Sequence, residues 1–288
     1  MMRVTLFGTR GSLAAPGPKT VRYGGNTAAV EVRAADGTTL VLDAGTGIRR
    51  LGEQMARDVA RVDILLTHLH MDHIQGLGFF APLYCPDIDV HIWGPASSIQ
   101  ALGSRLSRYL SPPLFPVHLR DLCNVICHDV PCPPFEIGQF RVETALVCHP
   151  GPTVGYRIEV EGKALVYLPD HEPALGLSAG HWREPEWTSG YDLAAGADLL
   201  IHDAQYTDEQ YESRVGWGHS SQRQAVEFAE RVGAEKLVFF HHDPSHDDET
   251  LDRLLANAVR VVNPSCIVSG GCEGAIFEVG AKNERPIC

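Results

Sequence analysis

Short apolar runs alternate with polar and glycine-containing segments along most of the chain, and this pattern predicts a protein built from both strands and helices. Apolar positions at helical spacing predict helices at about 47–58, 72–79, 97–109, 221–232 and 248–259. Runs rich in branched residues predict strands at 3–7, 27–33, 39–42, 62–66, 89–93, 122–130, 140–147, 153–160, 164–168, 198–203, 236–240, 266–268 and 275–279.

Hairpins interrupt the alternation of strands and helices, and no repeat of fixed length is present. Asp36-Gly37 and Glu161-Gly162 are suitable hairpin turns between predicted strands. We therefore predict an α/β fold in a single domain over 1–288, a four-layer αββα sandwich with two sheets face to face and helices outside. Strand ends would meet along one edge, where a rigid scaffold can aim functional side chains.

Two segments lack regular patterning and are candidates for loops that line a site. Gly8-Thr9-Arg10-Gly11-Ser12 opens a loop rich in Pro and Gly that runs through Gly25. Its glycines would let the backbone approach a ligand, and Arg10 would meet an anion unless the segment is a surface turn. The proline-rich segment 111–118 is predicted to be a rigid loop that walls a pocket, with His118 as a candidate substrate contact. The segment 176–192 is predicted to be a surface loop or short helix.

Composition and charge narrow the function classes. The chain has 44% hydrophobic residues and 21% charged residues, as ordinary globular proteins do. A net charge of −12 argues against broad binding to nucleic acid or anionic membranes, but a small anionic substrate remains compatible because metal ions invert the local charge. No apolar run approaches the ~20 residues of a membrane span, and no signal peptide is visible. We expect a cytoplasmic protein with its eight cysteines reduced.

The strongest chemical signal lies directly after the predicted strand at 62–66. His68, His70, Asp72 and His73 place three imidazoles and a carboxylate within six residues. This ligand set suits zinc, and also manganese or iron. In extended backbone, His68 and His70 would point the same way. Asp72 and His73, at the start of a helix, would then point toward a second site. The density of ligands favours metal binding over scattered surface histidines.

Further chemistry-bearing residues stand alone at the ends of later predicted strands or before a helix. They are His149, Asp170, Asp203, His219 and His241. Asp43 ends the strand at 39–42 and could orient a ligand histidine through its second ring nitrogen. His241 competes with its neighbour His242, and its position at the strand end favours it.

The motif His-x-His-x-Asp-His after a buried strand, followed in order by His149, Asp170, His219 and His241, resembles the metallo-β-lactamase superfamily over nearly the whole chain. Among its branches, the sequence is most similar to the phosphodiesterase and transfer-RNA 3′-end-processing side. The similarity lies in the strand end at Asp170, the second acidic strand end at Asp203 and the helix opened by His219-Ser220.

The resemblance implies a dinuclear site that binds two divalent metal ions, with Zn as first choice and Mn or Fe as alternatives. One metal would take His68, His70 and His149. The other would take Asp72, His73 and His241, and Asp170 would bridge the two. Asp203 competes with Asp170 for the bridge, and otherwise would hydrogen-bond a ligand.

Two metals sharing a carboxylate leave room for a bridging water, whose pKa they would lower. Asp72 would accept or orient the proton of that nucleophile. His219, which the ligand scheme does not use, would stabilise charge on the phosphoryl oxygens or protonate the leaving group. Both are therefore candidate catalytic residues.

One departure from the relatives bears on the substrate. RNA-processing members carry a long arm between the positions that match His149 and Asp170, and here a short hairpin fills that interval. With the acidic charge, this led us to expect a small, cyclic or linear phosphodiester as partner, rather than nucleic acid or a membrane. Thioester or lactone hydrolysis, transfer-RNA 3′ processing and a non-catalytic role are the alternatives. A homodimer is left open.

Overall fold

The computed structural model describes residues 1–55, 59–122, 124–173, 175, 182 and 184–280. In chain order its strands are β1 Met2–Gly8, β2 Ala29–Ala34, β3 Thr39–Leu42, β4 Arg61–Leu65, β5 Asp89–Gly94, β6 Val125–Asp129, β7 Phe135–Ile137, β8 Phe140–Leu146, β9 Val154–Val160, β10 Lys163–Leu168, β11 Leu199–Asp203, β12 Lys236–Phe240, β13 Ile267–Gly270 and β14 Ile276–Val279. They form two seven-stranded sheets, in the orders β14-β1-β2-β3-β4-β5-β6 and β13-β12-β11-β10-β9-β8-β7.

The helices are mostly short. They are α1 Ile48–Gln54, α2 Met71–Ile74, α3 Leu102–Leu106, α4 Tyr191–Ala194, α5 Asp208–Glu212, α6 Gln222–Val232 and α7 Asp248–Val262. Short 3₁₀ helices lie at Leu77–Phe79, Ala81–Tyr84, Leu119–Asp121 and Pro185–Trp187. No helix among the described residues is both long and apolar enough to cross a bilayer.

Three apolar layers give the predicted αββα sandwich. One lies between the sheets and contains Phe140, Tyr156 and Phe240, all fully buried. The other two lie on the outer sheet faces, where α1 covers the first sheet and α6 covers the second. Each large side chain buried in these layers contributes about 1.5–3 kcal/mol. The predicted fold class is therefore confirmed.

The parallel strands direct their carboxyl ends to one edge. β10 pairs parallel with β11, and β11 pairs parallel with β12. In the first sheet, β3 pairs parallel with β4. Because parallel strands end on the same side, the residues that follow β3, β4, β10, β11 and β12 can meet at this edge.

Several helix predictions were too long or missing. The helix predicted at 97–109 is only Leu102–Leu106, and Ile99 is 91% exposed instead of packed. The helix predicted at 72–79 stops after Ile74 and continues as 3₁₀ turns. Gly76, just after this stop, lets the backbone pack closely, since a Cβ there would lie 2.0 Å from the Gly45 carbonyl oxygen. The short elements β7, α4 and α5 were not predicted, because each has too few residues to show a period.

Other predictions agree in detail or fall outside the described residues. Ser221 caps α6 and accepts a hydrogen bond from the Gln224 N–H. Asp247 caps α7 in the same way. Cys85, Cys127, Cys132, Cys148 and Cys266 are free thiols. The end of the predicted first helix, Cys123 and most of 176–184 lie outside the described residues.

Candidate metal centre

The loop after β4 presents its histidines in two directions. His68 and His70 lie in the extended segment before α2, with ring centroids 4.3 Å apart. Asp72 and His73 lie in the first turn of α2, which begins at Met71. This is the change of backbone direction that the sequence predicted for the motif.

Asp170, which follows β10, lies at the centre of the histidines. Its Oδ2 is 2.9 Å from His73 Nε2, and its Oδ1 is 3.3 Å from His241 Nε2. The same Oδ1 is 3.8 Å from His149 Nε2 and 3.9 Å from His68 Nε2. The carboxylate of Asp170 therefore lies within 4 Å of histidines from both sheets.

Two groups of ligand atoms flank this carboxylate. His68, His70 and His149 form one, in which His149 Nε2 and His70 Nδ1 are 3.2 Å apart. Asp72, His73 and His241 form the other, in which Asp72 Oδ2 is 3.1 Å from His241 Nε2. Within each group the ligand atoms lie within 4.8 Å of one another, close enough to share one ion.

Three of the atoms that face the centre make no hydrogen bond of acceptable geometry among the described residues, although His73 Nε2 and Asp170 Oδ2 lie 2.9 Å apart. The three atoms are His68 Nε2, His73 Nε2 and Asp170 Oδ2, all buried. An unpaired buried polar atom costs about 1–3 kcal/mol. Imidazole nitrogens and a carboxylate oxygen are the donor set that zinc takes. The residues present therefore fit a divalent metal centre.

Hydrogen bonds on the other ring nitrogens hold the histidines with Nε2 toward the centre. His73 Nδ1 is 2.8 Å from Asp43 Oδ2, and His149 Nδ1 is 2.9 Å from the Gly218 carbonyl. His241 Nδ1 is 3.1 Å from Gln205 Oε1. Such contacts fix the tautomer of a ligand histidine. Asp43 thus makes the contact predicted for it.

The pKa values of the histidines at the centre are shifted in two opposite directions. Burial lowers the pKa values of His68, His70 and His149, which favours the neutral ring that binds metals. Burial would also lower the pKa of His241, but Asp170 and Asp72 outweigh it and raise the pKa to about 9. Protons and metal ions therefore compete for the nitrogen of His241.

His219 lies beside both groups of ligand atoms. Its ring centroid is 5.1 Å from that of His149 and 5.0 Å from that of His241. Asp203 Oδ2 accepts a hydrogen bond from His219 Nδ1 at 2.7 Å. The Asp203 carboxylate also accepts hydrogen bonds from the Gln205 and Ser220 N–H groups. Asp203 thus orients His219, and Asp170, rather than Asp203, occupies the position between the two groups.

Comparison with known proteins agrees with this geometry. Residues 38–242 match the family described as beta-lactamase superfamily domain. The chain belongs to the metallo-β-lactamase superfamily. A ribonuclease Z from Gemmatimonas aurantiaca is 26% identical over 291 residues, covering 86% of this chain and 89% of the relative.

Solved structures show the same superfamily fold at lower identity. The metallo-beta-lactamase fold protein YhfI from Bacillus subtilis superposes with a TM-score of 0.70 at 20% identity, over 96% of this chain and 98% of that one. A diphosphatase of the PhnP family superposes with a TM-score of 0.67 at 18% identity, over 96% of each chain. These likenesses concern the fold.

The expectation that argued against a nucleic-acid partner is wrong. Relatives that match this superfamily member over most of both chains are named ribonuclease Z. Net charge misled us because it sums over the whole surface, whereas a substrate responds to the local field at the site, which bound metal ions would dominate.

Arg10 does not face a ligand. Its guanidinium is fully buried and donates to the carbonyl oxygens of Gly24, Asp243 and His246. The anion-binding role predicted for it is wrong; it fastens the segment after His241 to the N-terminal loop. The glycines of this loop do permit close approach of the backbone to the candidate centre, since a Cβ on Gly11 would lie 2.3 Å from His241 Nδ1.

The proline-rich loop contributes Leu114 to a cavity of about 420 Å³ beside the His-rich loop, lined also by Leu69, Met71, Ile74, Arg105, Arg108 and Tyr109. His118 is not among the lining residues and instead directly precedes the 3₁₀ helix Leu119–Asp121. His242 points away from the centre, to the carbonyl oxygen of Gly271.

Sequence reasoning missed the residues that hold the loop before α6. Glu172 is 1% exposed, and its carboxylate accepts hydrogen bonds from the N–H groups of Gly216 and Gly218 and from the Tyr211 hydroxyl. Gln205 and the Ser12 N–H, which donates to Asp72 Oδ2 at 2.7 Å, were missed as well. The only signal in the sequence was the pair of glycines around Trp217.

Proposed function

We propose that this superfamily member is a metal-dependent phosphodiesterase. The observation that carries the proposal is Asp170, which lies between two groups of ligand atoms and beside a histidine that neither group needs. Phosphodiester hydrolysis requires stabilisation of both the attacking and the leaving oxygen, and paired metal positions with an adjacent proton carrier suit this demand.

His68, His70 and His149 would hold one divalent ion, and Asp72, His73 and His241 the other, with Asp170 shared. When bound, the ions would lower the pKa of a water molecule and stabilise negative charge on the phosphoryl oxygens. Zinc matches the donor set, and manganese or iron are compatible with it.

The protein's own residues would orient and move protons. His219 has Nδ1 engaged by Asp203, so Nε2 is the nitrogen left to protonate a leaving oxygen or to hydrogen-bond the phosphoryl group. Asp72 Oδ2 accepts the Ser12 N–H and lies 3.3 Å from His73 Nε2. This fixed carboxylate would orient the proton of the nucleophile.

Two substrate sizes have separate support. A plain hairpin of β9 and β10, without an inserted arm, fills the interval between His149 and Asp170, and this favours a small phosphodiester. The curated relative named ribonuclease Z favours an RNA substrate, cleaved by the same chemistry.

The test compares rates on bis(p-nitrophenyl) phosphate, an aryl thioester, a lactone and a precursor transfer RNA, with elemental analysis of the purified protein. We expect hydrolysis of the phosphodiester in a protein that contains bound metal. Hydrolysis of the thioester alone would contradict the proposal, and the ratio of the RNA rate to the small-ester rate decides the substrate size.

His219→Ala should reduce the phosphodiesterase rate by about 10²-fold or more while leaving the metal content unchanged. His118→Ala, a half-buried histidine that does not line the cavity beside the His-rich loop, serves as the matched control. A normal rate in the His219 variant would remove the role assigned to this residue.

A further inference from the structure

A tryptophan stands in solvent beside the candidate centre. Trp217 is 59% exposed, although it lies two residues before His219, which is buried. Gly216 and Gly218 on either side both have φ of 85°, a left-handed conformation that favours glycine. The backbone therefore turns so that this large aromatic side chain is displayed outward rather than packed inside.

The loop that carries Trp217 is held firmly. The buried carboxylate of Glu172 accepts hydrogen bonds from the N–H groups of both Gly216 and Gly218. Gly218 also touches the centre, since its carbonyl oxygen contacts His149 Nδ1 at 2.9 Å. Desolvating a carboxylate is costly unless its hydrogen bonds are made. Here those bonds fix the loop in place, although its central side chain, Trp217, remains mostly exposed.

The cation of Arg214 joins the exposed Trp217 ring to the buried Tyr206 ring. The Arg214 guanidinium lies 5.2 Å from the ring centroid of Tyr206 and 5.9 Å from that of Trp217. The same guanidinium donates hydrogen bonds to the Gln210 carbonyl oxygen and to the Ser213 hydroxyl, and it forms no ion pair with a carboxylate among the described residues. We call Tyr206, Arg214 and Trp217 the aromatic shelf.

The shelf is continuous with the residues assigned to proton transfer. The Tyr206 ring packs edge-on against His219, with centroids 5.5 Å apart. A substrate whose phosphate lies at the ligand residues could therefore extend one substituent over the shelf. Tyr206 is only 3% exposed and lies beneath the shelf, so the exposed Trp217 ring and the Arg214 guanidinium are the groups on which a flat, electron-rich ring would stack.

We propose that the aromatic shelf binds the base of a nucleotide phosphodiester whose phosphate lies beside His219. This inference rests on the proposed phosphodiesterase function and specifies its substrate class. It applies equally to a small nucleotide ester and to the terminal nucleotides of an RNA, because the shelf spans three side chains and recognises a single base.

The experiment uses two esters with the same leaving group: thymidine 5′-(p-nitrophenyl phosphate) and methyl p-nitrophenyl phosphate. We expect the wild type to favour the nucleoside ester in kcat/KM. Trp217→Ala should lower that preference by about tenfold, through the nucleoside ester alone, since base stacking is the contact removed. Trp217→Phe should retain most of the preference, and Arg214→Ala should lower it.

Arg49→Ala is the matched control for loss of charge, since Arg49 is exposed on α1 and, among the described residues, forms an ion pair with Glu53 alone. Equal rates of Trp217→Ala and wild type on the nucleoside ester would overturn the shelf while leaving the phosphodiesterase proposal intact. If the wild type hydrolyses neither ester, the proposed function fails. The shelf is then tested separately, by measuring the affinity for adenosine monophosphate with calorimetric titration. Equal affinity of wild type and Trp217→Ala for this nucleotide would then overturn it.

Discussion

The two sheets supply the candidate metal centre in different ways. The first sheet gives His68, His70, Asp72 and His73 from one short segment after β4. The second gives His149, Asp170 and His241 singly, each from a different strand end. The first set is arranged by local backbone geometry, whereas the second is brought together by strand pairing: β10, β11 and β12 are parallel, and β8 reaches the same edge through the antiparallel strand β9.

The difference extends to the groups that hold each set. His73 depends on Asp43, at the end of the neighbouring strand β3. His149 depends on the carbonyl oxygen of Gly218, which is 69 residues away along the chain. A ligand held by distant contacts needs further support, and Glu172 supplies it by binding the loop that contains Gly218. We therefore expect the second-sheet side of the centre to be more sensitive to changes outside the ligands.

The largest effect should come from Asp170→Ala, which removes the carboxylate that lies within 4 Å of histidines from both sheets. We expect the phosphodiesterase rate to fall by about 10³-fold or more, because metal positioning supplies several kcal/mol of transition-state stabilisation. Elemental analysis should show a lower metal content. Asp129→Ala, at the exposed end of β6, is the control. Unchanged metal content in the Asp170 variant would show that the two ligand groups are independent.

This asymmetry also explains what could be predicted from the sequence. The ligand residues in the segment His68–His73 could be predicted from their spacing alone. The positions of His149, Asp170 and His241 could be predicted because each follows an apolar run that indicates a strand. The supports Glu172, Gln205 and Gly218 could not be found, because their roles arise from contacts between segments distant in sequence. Arg10 was misjudged for the same reason: a cation beside glycines suggests an anion site, and only the fold shows the carbonyl oxygens that it meets.

Asp43→Asn tests the support on the first-sheet side. The amide keeps the shape but loses the carboxylate that His73 Nδ1, the Thr67 N–H and the Tyr167 hydroxyl contact. Loss of such a partner weakens metal affinity by about 10–100-fold. A chelator competition should therefore strip metal from this variant at lower chelator concentration than from wild type. Asp36→Asn, in the exposed β2–β3 turn, should behave as wild type.

Glu172→Gln tests the support on the second-sheet side. Glutamine offers one acceptor oxygen where the carboxylate offers two to Gly216 and Gly218, so the loop should loosen. We expect about a tenfold loss of rate, in line with a buried hydrogen bond worth roughly 1–1.5 kcal/mol, and faster amide hydrogen exchange at 213–219. Glu230→Gln, at a carboxylate whose Oε1 accepts the Ser265 and Cys266 N–H groups, is the matched control away from the centre. Equal exchange rates in wild type and the Glu172 variant would refute the support role.

The smallest effect should follow from Ser221→Ala, which changes a local feature just after His219. The Ser221 hydroxyl accepts the Gln224 N–H and donates to Asp208 Oδ1, so it both caps α6 and joins α6 to α5. Removing such a cap costs about 1 kcal/mol of unfolding free energy, measurable by urea denaturation. The rate should change little, because Asp203 and Glu172 hold the His219 loop independently of the cap.

Thr207→Ala is the matched variant, since Thr207 forms the same capping box on the five-residue helix α5 and makes no contact with α6 through its hydroxyl among the described residues. It should destabilise the protein less than Ser221→Ala does, because a short helix stabilises little when capped. A large loss of rate in Ser221→Ala at unchanged stability would mean that the start of α6, rather than the contacts from Asp203 and Glu172, positions His219. In that case the second-sheet side of the centre would be as locally determined as the first.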